Sequence, residues 1–117
     1  MRLLMLVPLI LAALTVPSGA YYYDGNALYA MCMSTDNNVG YMERARCGGF
    51  ILGVSDTMDS ARAVNKSPVC VPPGVQAGQL QDIVTMYLRD HPATRSLEAN
   101  LLVVMALGDA YGCASKR

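Results

Sequence analysis

The segment from Cys70 to Cys113 constrains the fold more than any other part of the chain. It opens with Cys70-Val71-Pro72-Pro73-Gly74-Val75, continues as an amphipathic stretch, and turns at Asp90-His91-Pro92. A second apolar stretch then ends at Gly112-Cys113. Two helices joined by a short proline-containing corner pack antiparallel. The start of one therefore lies beside the end of the other, and the two cysteines occupy those ends. The layout predicts a helical hairpin closed at its open end by a disulfide, provided that the protein folds in an oxidising compartment.

The N-terminus supplies that condition. Arg2 is a positive n-region, Leu3 to Val16 is almost wholly apolar, and Pro17-Ser18-Gly19-Ala20 ends in small residues. These three parts predict a secretory signal peptide over residues 1–20, cleaved before Tyr21. As a transmembrane anchor the apolar run falls short of the roughly 20 residues needed to span a bilayer. No Cys follows the small residues, which argues against a lipoprotein. The expected localisation is periplasmic, with a single helical domain over residues 21–117.

Without Arg2 the mature chain keeps eight basic and nine acidic side chains, a net charge of −1. This balance argues against nucleic acid or an anionic membrane surface as partner, and no further span long enough for a bilayer follows the signal. A domain this small gains from covalent staples. Its four cysteines, Cys32, Cys47, Cys70 and Cys113, are even in number, so two disulfides are expected. Three pairings exist. Cys32 ends a first helix and Cys47 lies early in a second, with a turn between them, so hairpin geometry favours Cys32–Cys47 and Cys70–Cys113. Chain entropy assigns roughly 3 kcal/mol to the shorter loop and roughly 4 kcal/mol to the longer.

The periodicity predicts an all-α fold, a small disulfide-stapled bundle of about four helices. The first spans about 26–33, with Asp24-Gly25-Asn26 as its cap. The second is long, about 39–64, with Met42, Ala45, Phe50, Val54, Met58, Ala61 and Val64 expected on its core face. Gly49 and Gly53, four apart inside it, predict close approach of a neighbouring helix, because each costs about 1 kcal/mol relative to Ala. The third, about 77–89, has a clean apolar stripe of Leu80, Ile83, Val84, Tyr87 and Leu88. The fourth, about 96–111, takes Ser96 as its cap and carries Leu97, Leu101, Val104, Met105 and Tyr111. Being apolar nearly all round, it is expected to be the most buried.

Nothing in the residues points to catalysis. His91 is the only imidazole and sits at a helix end, where it suits the last carbonyls and the helix dipole. No Ser lies in a G-x-S-x-G context, and a Cys–His pair would need a free thiol. Asp56 and Asp59 read as a solvated face. A zinc site would need more than one His or a C-x-x-C pair. The methionines read as core filling. No enzyme, metal or cofactor is therefore expected.

Four blocks in order carry a resemblance. They are Tyr23-x-Gly25-x-x-Leu28-x-x-x-Cys32, then Cys47-Gly48-Gly49-Phe50-Ile51-Leu52-Gly53, then Cys70-Val71-Pro72 through Gln79-Leu80 to Tyr87-Leu88-x-x-His91-Pro92-x-x-Arg95, then Leu101-Leu102-Val103 to Cys113. Together they resemble the Rap/Tai family of periplasmic immunity proteins of type VI secretion. The resemblance implies a compact helical domain, often a homodimer, that binds a cognate secreted effector protein, typically a peptidoglycan amidase, and blocks its active site. Two surfaces offer an inhibitory element, the stiff loop 65–79 and the corner Arg89-Asp90-His91-Pro92; the loop is favoured, with Lys66, Val71, Val75 and Gln76 as partner-binding residues. The alternative reading is a small periplasmic helical chaperone or apolar-ligand binder, which should expose an apolar patch.

Overall fold

The structure, a computed structural model, describes residues 22–113; residues 1–20, where the sequence predicts a signal peptide, lie outside them. Among the described residues the fold is four helices stapled by two disulfides: α1 (Gly25–Cys32), α2 (Gly40–Val64), α3 (Ala77–Asp90) and α4 (Ala99–Tyr111), with a short 3-10 turn at Pro92–Thr94. None of these helices is long and apolar enough to cross a membrane. Cys32 pairs with Cys47 and Cys70 with Cys113, at Cα separations of 5.1 and 5.4 Å. Both pairings follow the hairpin geometry.

α3 buries the stripe its sequence shows: Leu80, Val84 and Leu88 are buried, and Ile83 and Tyr87 pack at the edge of the core. Its first turn is closed by a reciprocal cap. The Gln76 side chain accepts from the backbone of Gln79, and the Gln76 N–H donates to Gln79 Oε1 at 2.7 Å.

α4 departs from expectation in two ways. It starts at Ala99, and Ser96 does not cap it. The Ala99 N–H instead donates to the Tyr23 carbonyl at 3.0 Å, so the chain's N-terminal segment serves as the cap. Its inner face is Ala99, Leu102, Val103, Ala106, Leu107 and Gly108, the largest buried set of any helix. Leu97, which precedes the helix, and Leu101, Val104 and Met105 on it all face outward. A helix apolar on every side gives no periodicity from which to pick the buried face.

α2 also turns a different face inward. Gly40, Cys47, Ile51 and Ser55 are buried, and Phe50, Val54 and Met58 lie at the core margin. Met42, Ala45, Ala61 and Val64 are exposed. The buried row holds a glycine and a serine, which conceal it from a hydrophobic pattern. The methionines fill the core only at Met31 and, partly, Met58; Met33, Met42, Met86 and Met105 are exposed.

The N-terminal block is fixed by close backbone contact. Asp24 caps α1 by accepting from the Ala27 N–H at 2.8 Å. The Gly25 and Asn26 N–H groups donate to the carbonyls of Leu97 and Arg95, each at 2.9 Å. A Cβ on Gly25 would collide with Leu102 Cδ1 and would stand 2.7 Å from the Arg95 carbonyl. Only glycine fits there.

Candidate functional site

Three surfaces could carry function: the loop between α2 and α3, the corner between α3 and α4, and a groove along α2.

The loop begins where α2 ends. Ser67 N–H donates to the Arg62 carbonyl at 2.8 Å and Lys66 N–H to the Ala63 carbonyl at 3.0 Å. These are the two bonds of a Schellman closure, with Lys66 in the left-handed position that glycine usually takes (φ 54°). Arg62 then holds the loop, its Nε donating to the Pro68 carbonyl at 2.7 Å and its Nη1 to the Cys113 carbonyl at 3.4 Å. Asp59 accepts from the Cys70 N–H at 2.7 Å, and the Cys70–Cys113 disulfide completes the anchorage. Asp59 and Arg62, which resemble a solvated helix face in the sequence, are thus loop anchors. No sequence spacing signals this role.

The four residues expected to touch a partner therefore differ in position. Lys66 is exposed on the left-handed turn. Val71 and Val75 are half-buried and pack against the core. Gln76 is exposed but caps α3. The part of the loop that projects is Val69 together with Pro72, Pro73 and Gly74.

The corner is committed to the fold. His91 stacks on Tyr87 with ring centroids 4.1 Å apart, and its Nδ1 lies 2.8 Å from the Tyr87 carbonyl. Burial, aided by Asp109, raises the pKa of the Tyr87 hydroxyl. Arg95 reaches back to the end of α3, its Nε donating to the Leu88 carbonyl at 2.6 Å and its Nη2 to the Arg89 carbonyl at 3.2 Å. The guanidinium lies 4.1 Å over the Tyr29 ring. The spacing His91-Pro92-x-x-Arg95 thus closes α3 with one imidazole and one guanidinium.

The groove, of about 670 Å³, runs between α2 and the first half of α4. Its apolar walls are Phe50, Val54 and Met58 from α2 and Val104 from α4. Gly49 and Gly53 open onto it, and a Cβ on either would meet nothing within 4 Å. Their spacing predicts a neighbouring helix, yet among the described residues none is there. The glycine that a neighbouring helix does approach is Gly48, where a Cβ would stand 3.1 Å from Gln81 Oε1 of α3.

Residues 24–113 match the family of Rap1a immunity proteins. The chain belongs to that family. No curated protein and no solved structure matches the chain. The matched range starts at the Asp24 cap and ends at Cys113, so it takes in both disulfides, the Arg95 closure and the anchored loop. As a Rap1a immunity protein, the chain presents a tethered loop and an open groove on its surface.

Proposed function

We propose that this Rap1a protein is exported to the periplasm, with cleavage after Ala20. There it binds a cognate type VI effector, a peptidoglycan amidase, and blocks its active-site cleft without turnover of its own. Family membership across residues 24–113 is the observation that carries this reading. The inhibitory element is the loop 65–79, with Lys66, Val71, Val75 and Gln76 in or beneath the contact. Its stiffness supports the assignment. Two carbonyls and one N–H of the loop and its disulfide partner are held by Arg62 and Asp59, and a loop already ordered loses little entropy on docking. The left-handed conformation of Lys66 is a further sign, because strain at an exposed non-glycine residue often marks a functional position. A homodimer is part of the same reading.

The test is inhibition of the effector's peptidoglycan hydrolysis by purified Tyr21–Arg117. Lys66→Glu and Val69→Asp should weaken inhibition without lowering thermal stability, because both side chains are exposed. Val71→Ala and Val75→Ala should lower inhibition and stability together. Undiminished inhibition by the first two variants would remove the loop from the mechanism, and hydrolysis of peptidoglycan by the protein alone would end the inhibitor reading. N-terminal sequencing of the periplasmic protein should return Tyr21-Tyr22-Tyr23.

A further inference from the structure

The groove beside α2 has an apolar body and one cationic end. Its α2 wall is a single face of that helix, from Gly49 and Phe50 through Gly53, Val54 and Met58 to Arg62. Asn100 and Val104 of α4 form the other side. α4 runs beside α2 in the same sense. At its start the Ala99 N–H reaches Tyr23, whose ring packs on Phe50, and past its end the Cys113 carbonyl accepts from Arg62. Arg62, Asn65 and Ser67 therefore gather where both helices finish, and the apolar residues occupy the rest of the groove. From this we propose that the groove binds a single-chain amphiphile with an anionic head, the chemistry of a fatty acid or a lysophospholipid. The head lies at Arg62 and the tail runs toward Phe50. The proposal goes beyond the inhibitor reading and does not rest on it.

Three observations choose this occupant. First, the dimensions fit one acyl chain. Arg62 stands 13 residues after Gly49, about 20 Å along the helix, and one acyl chain covers half of a hydrocarbon core about 30 Å thick. The volume, about 670 Å³, lies within the range of small-molecule sites, roughly 300–1,000 Å³. Gly49 and Gly53 leave the middle of the groove free of side chains, so a methylene chain can lie against the helix backbone. Second, the charge at the head end is unmatched. Arg62 is half-buried, and its Nε and Nη1 donate to the carbonyls of Pro68 and Cys113. Among the described residues Nη2 has no acceptor and no carboxylate pairs with this guanidinium, the ion pair there being Arg46 with Glu43. Asp59, one turn earlier, is committed to the Cys70 N–H and does not line the groove. The carbonyls of Ala61, Arg62 and Ala63, which would repel an anion at a helix C-terminus, are covered by the N–H groups of Asn65, Ser67 and Lys66. A desolvated guanidinium with a spare donor favours an anionic acceptor. Third, the walls suit hydrocarbon better than a peptide. The backbone groups of a helix interior already bond one another, so the α2 face returns no hydrogen bonds to an extended chain that buries its own.

The test is calorimetric titration of Tyr21–Arg117 with laurate and with lauroyl lysophosphatidylglycerol, each below its micelle concentration, and with dodecanol as the uncharged control. The expected result is one saturable site per chain for both anions, with dodecanol about tenfold weaker or more. Whichever anion binds more tightly names the head group. Gly53→Leu, whose side chain enters the groove and meets no described residue, should weaken both anions about tenfold or more without lowering the unfolding midpoint of the free protein. Arg62→Gln and Arg62→Lys both give up bonds to the loop and should lower that midpoint alike. Only Arg62→Gln should bring laurate down to the affinity of dodecanol, while Arg62→Lys keeps most of the difference, a split that a merely structural arginine would not produce. Uptake that never saturates, equal affinity for dodecanol, or binding indifferent to Gly53→Leu would overturn the proposal. Absence of laurate binding together with a sedimentation mass that falls in Gly53→Leu would overturn it too and give the groove to a second copy of the chain. In either case the inhibition assay on the loop variants stands apart.

Discussion

Two glycines show how differently the two halves of this molecule are built. Gly25, at the start of α1, is enclosed by the Arg95 backbone and Leu102; Gly53, midway along α2, has open space above it. Around Gly25 the fold uses most of what the sequence offers. The Tyr23, Arg95 and Leu97 carbonyls all accept from backbone N–H groups, and Arg95 closes α3. Around Gly53 little among the described residues contacts the exposed face. A glycine in a helix interior is a cost, and at Gly53 no described residue packs close enough to require it. The comparison teaches that the same residue type can record an internal constraint or an unmet one, and that only the surroundings distinguish the two.

The largest expected effect tests the enclosed half. Replacing Cys70 and Cys113 together by Ser opens a loop of 43 residues and should cost about 4 kcal/mol in denaturant unfolding. It should also release the loop that Arg62 and Asp59 hold, so protease sensitivity should rise first between residues 65 and 76. A loss under about 1 kcal/mol would mean that the hydrogen bonds alone hold the open end of the hairpin.

The glycine pair itself comes next. Gly25→Ala must displace Arg95 or Leu102, and overpacking against backbone costs about 3 kcal/mol. Gly53→Ala should instead stabilise the isolated chain by about 1 kcal/mol, the ordinary helix-interior gain. Thermal or denaturant unfolding of the two variants would collapse the comparison if they moved in the same direction.

Between these extremes lies Lys66. Its left-handed turn closes α2 with a residue that pays for a Cβ. Lys66→Gly should therefore raise stability by about 0.5–1 kcal/mol, while removing the exposed cation of the loop. If Lys66→Gly is both more stable and a poorer inhibitor, the strain is retained for binding. If inhibition is unchanged, the lysine is incidental.

Legibility in the sequence followed the same division. α3 was readable because its large apolar residues, Met86 apart, fall on one stripe and most of the rest of that helix is polar. Both disulfides were readable because the helix hairpins put the cysteine pairs at shared ends. The inner faces of α2 and α4 were not. α4 is apolar on all sides, and the inner row of α2 carries Gly40 and Ser55, residues no hydrophobic pattern selects. The loop anchors were hidden for a different reason. Asp59 and Arg62 spend their charge on backbone groups 6 to 51 residues away, and a helix-periodic reading assigns such residues to solvent. The spacing of Gly49 and Gly53 predicts helix approach, but among the described residues no helix approaches them, because the glycines face the open groove.

The smallest expected effect concerns the entry to α2, where even the open half has one fixed point. The Asp36 carboxylate accepts from the Asn38 and Val39 N–H groups at 2.7 and 2.9 Å. Those bonds, the one from Val39 first and that from Asn38 second, lower its pKa below the ordinary carboxyl value. A lowered folded-state pKa contributes stability that is present above the unfolded-state pKa and is lost as the pH falls through the folded-state one. Asp36→Asn keeps an acceptor oxygen but not the charge. The two proteins should therefore differ slightly in unfolding midpoint at neutral pH, with Asp36 the more stable, and converge as acid protonates the carboxyl. The carboxylate is fully exposed, so the gap should be small and should shrink with added salt. A gap that stayed constant from neutral pH down through the carboxyl range would show that the amide simply fits the turn less well and that the charge at the start of α2 does nothing for the fold.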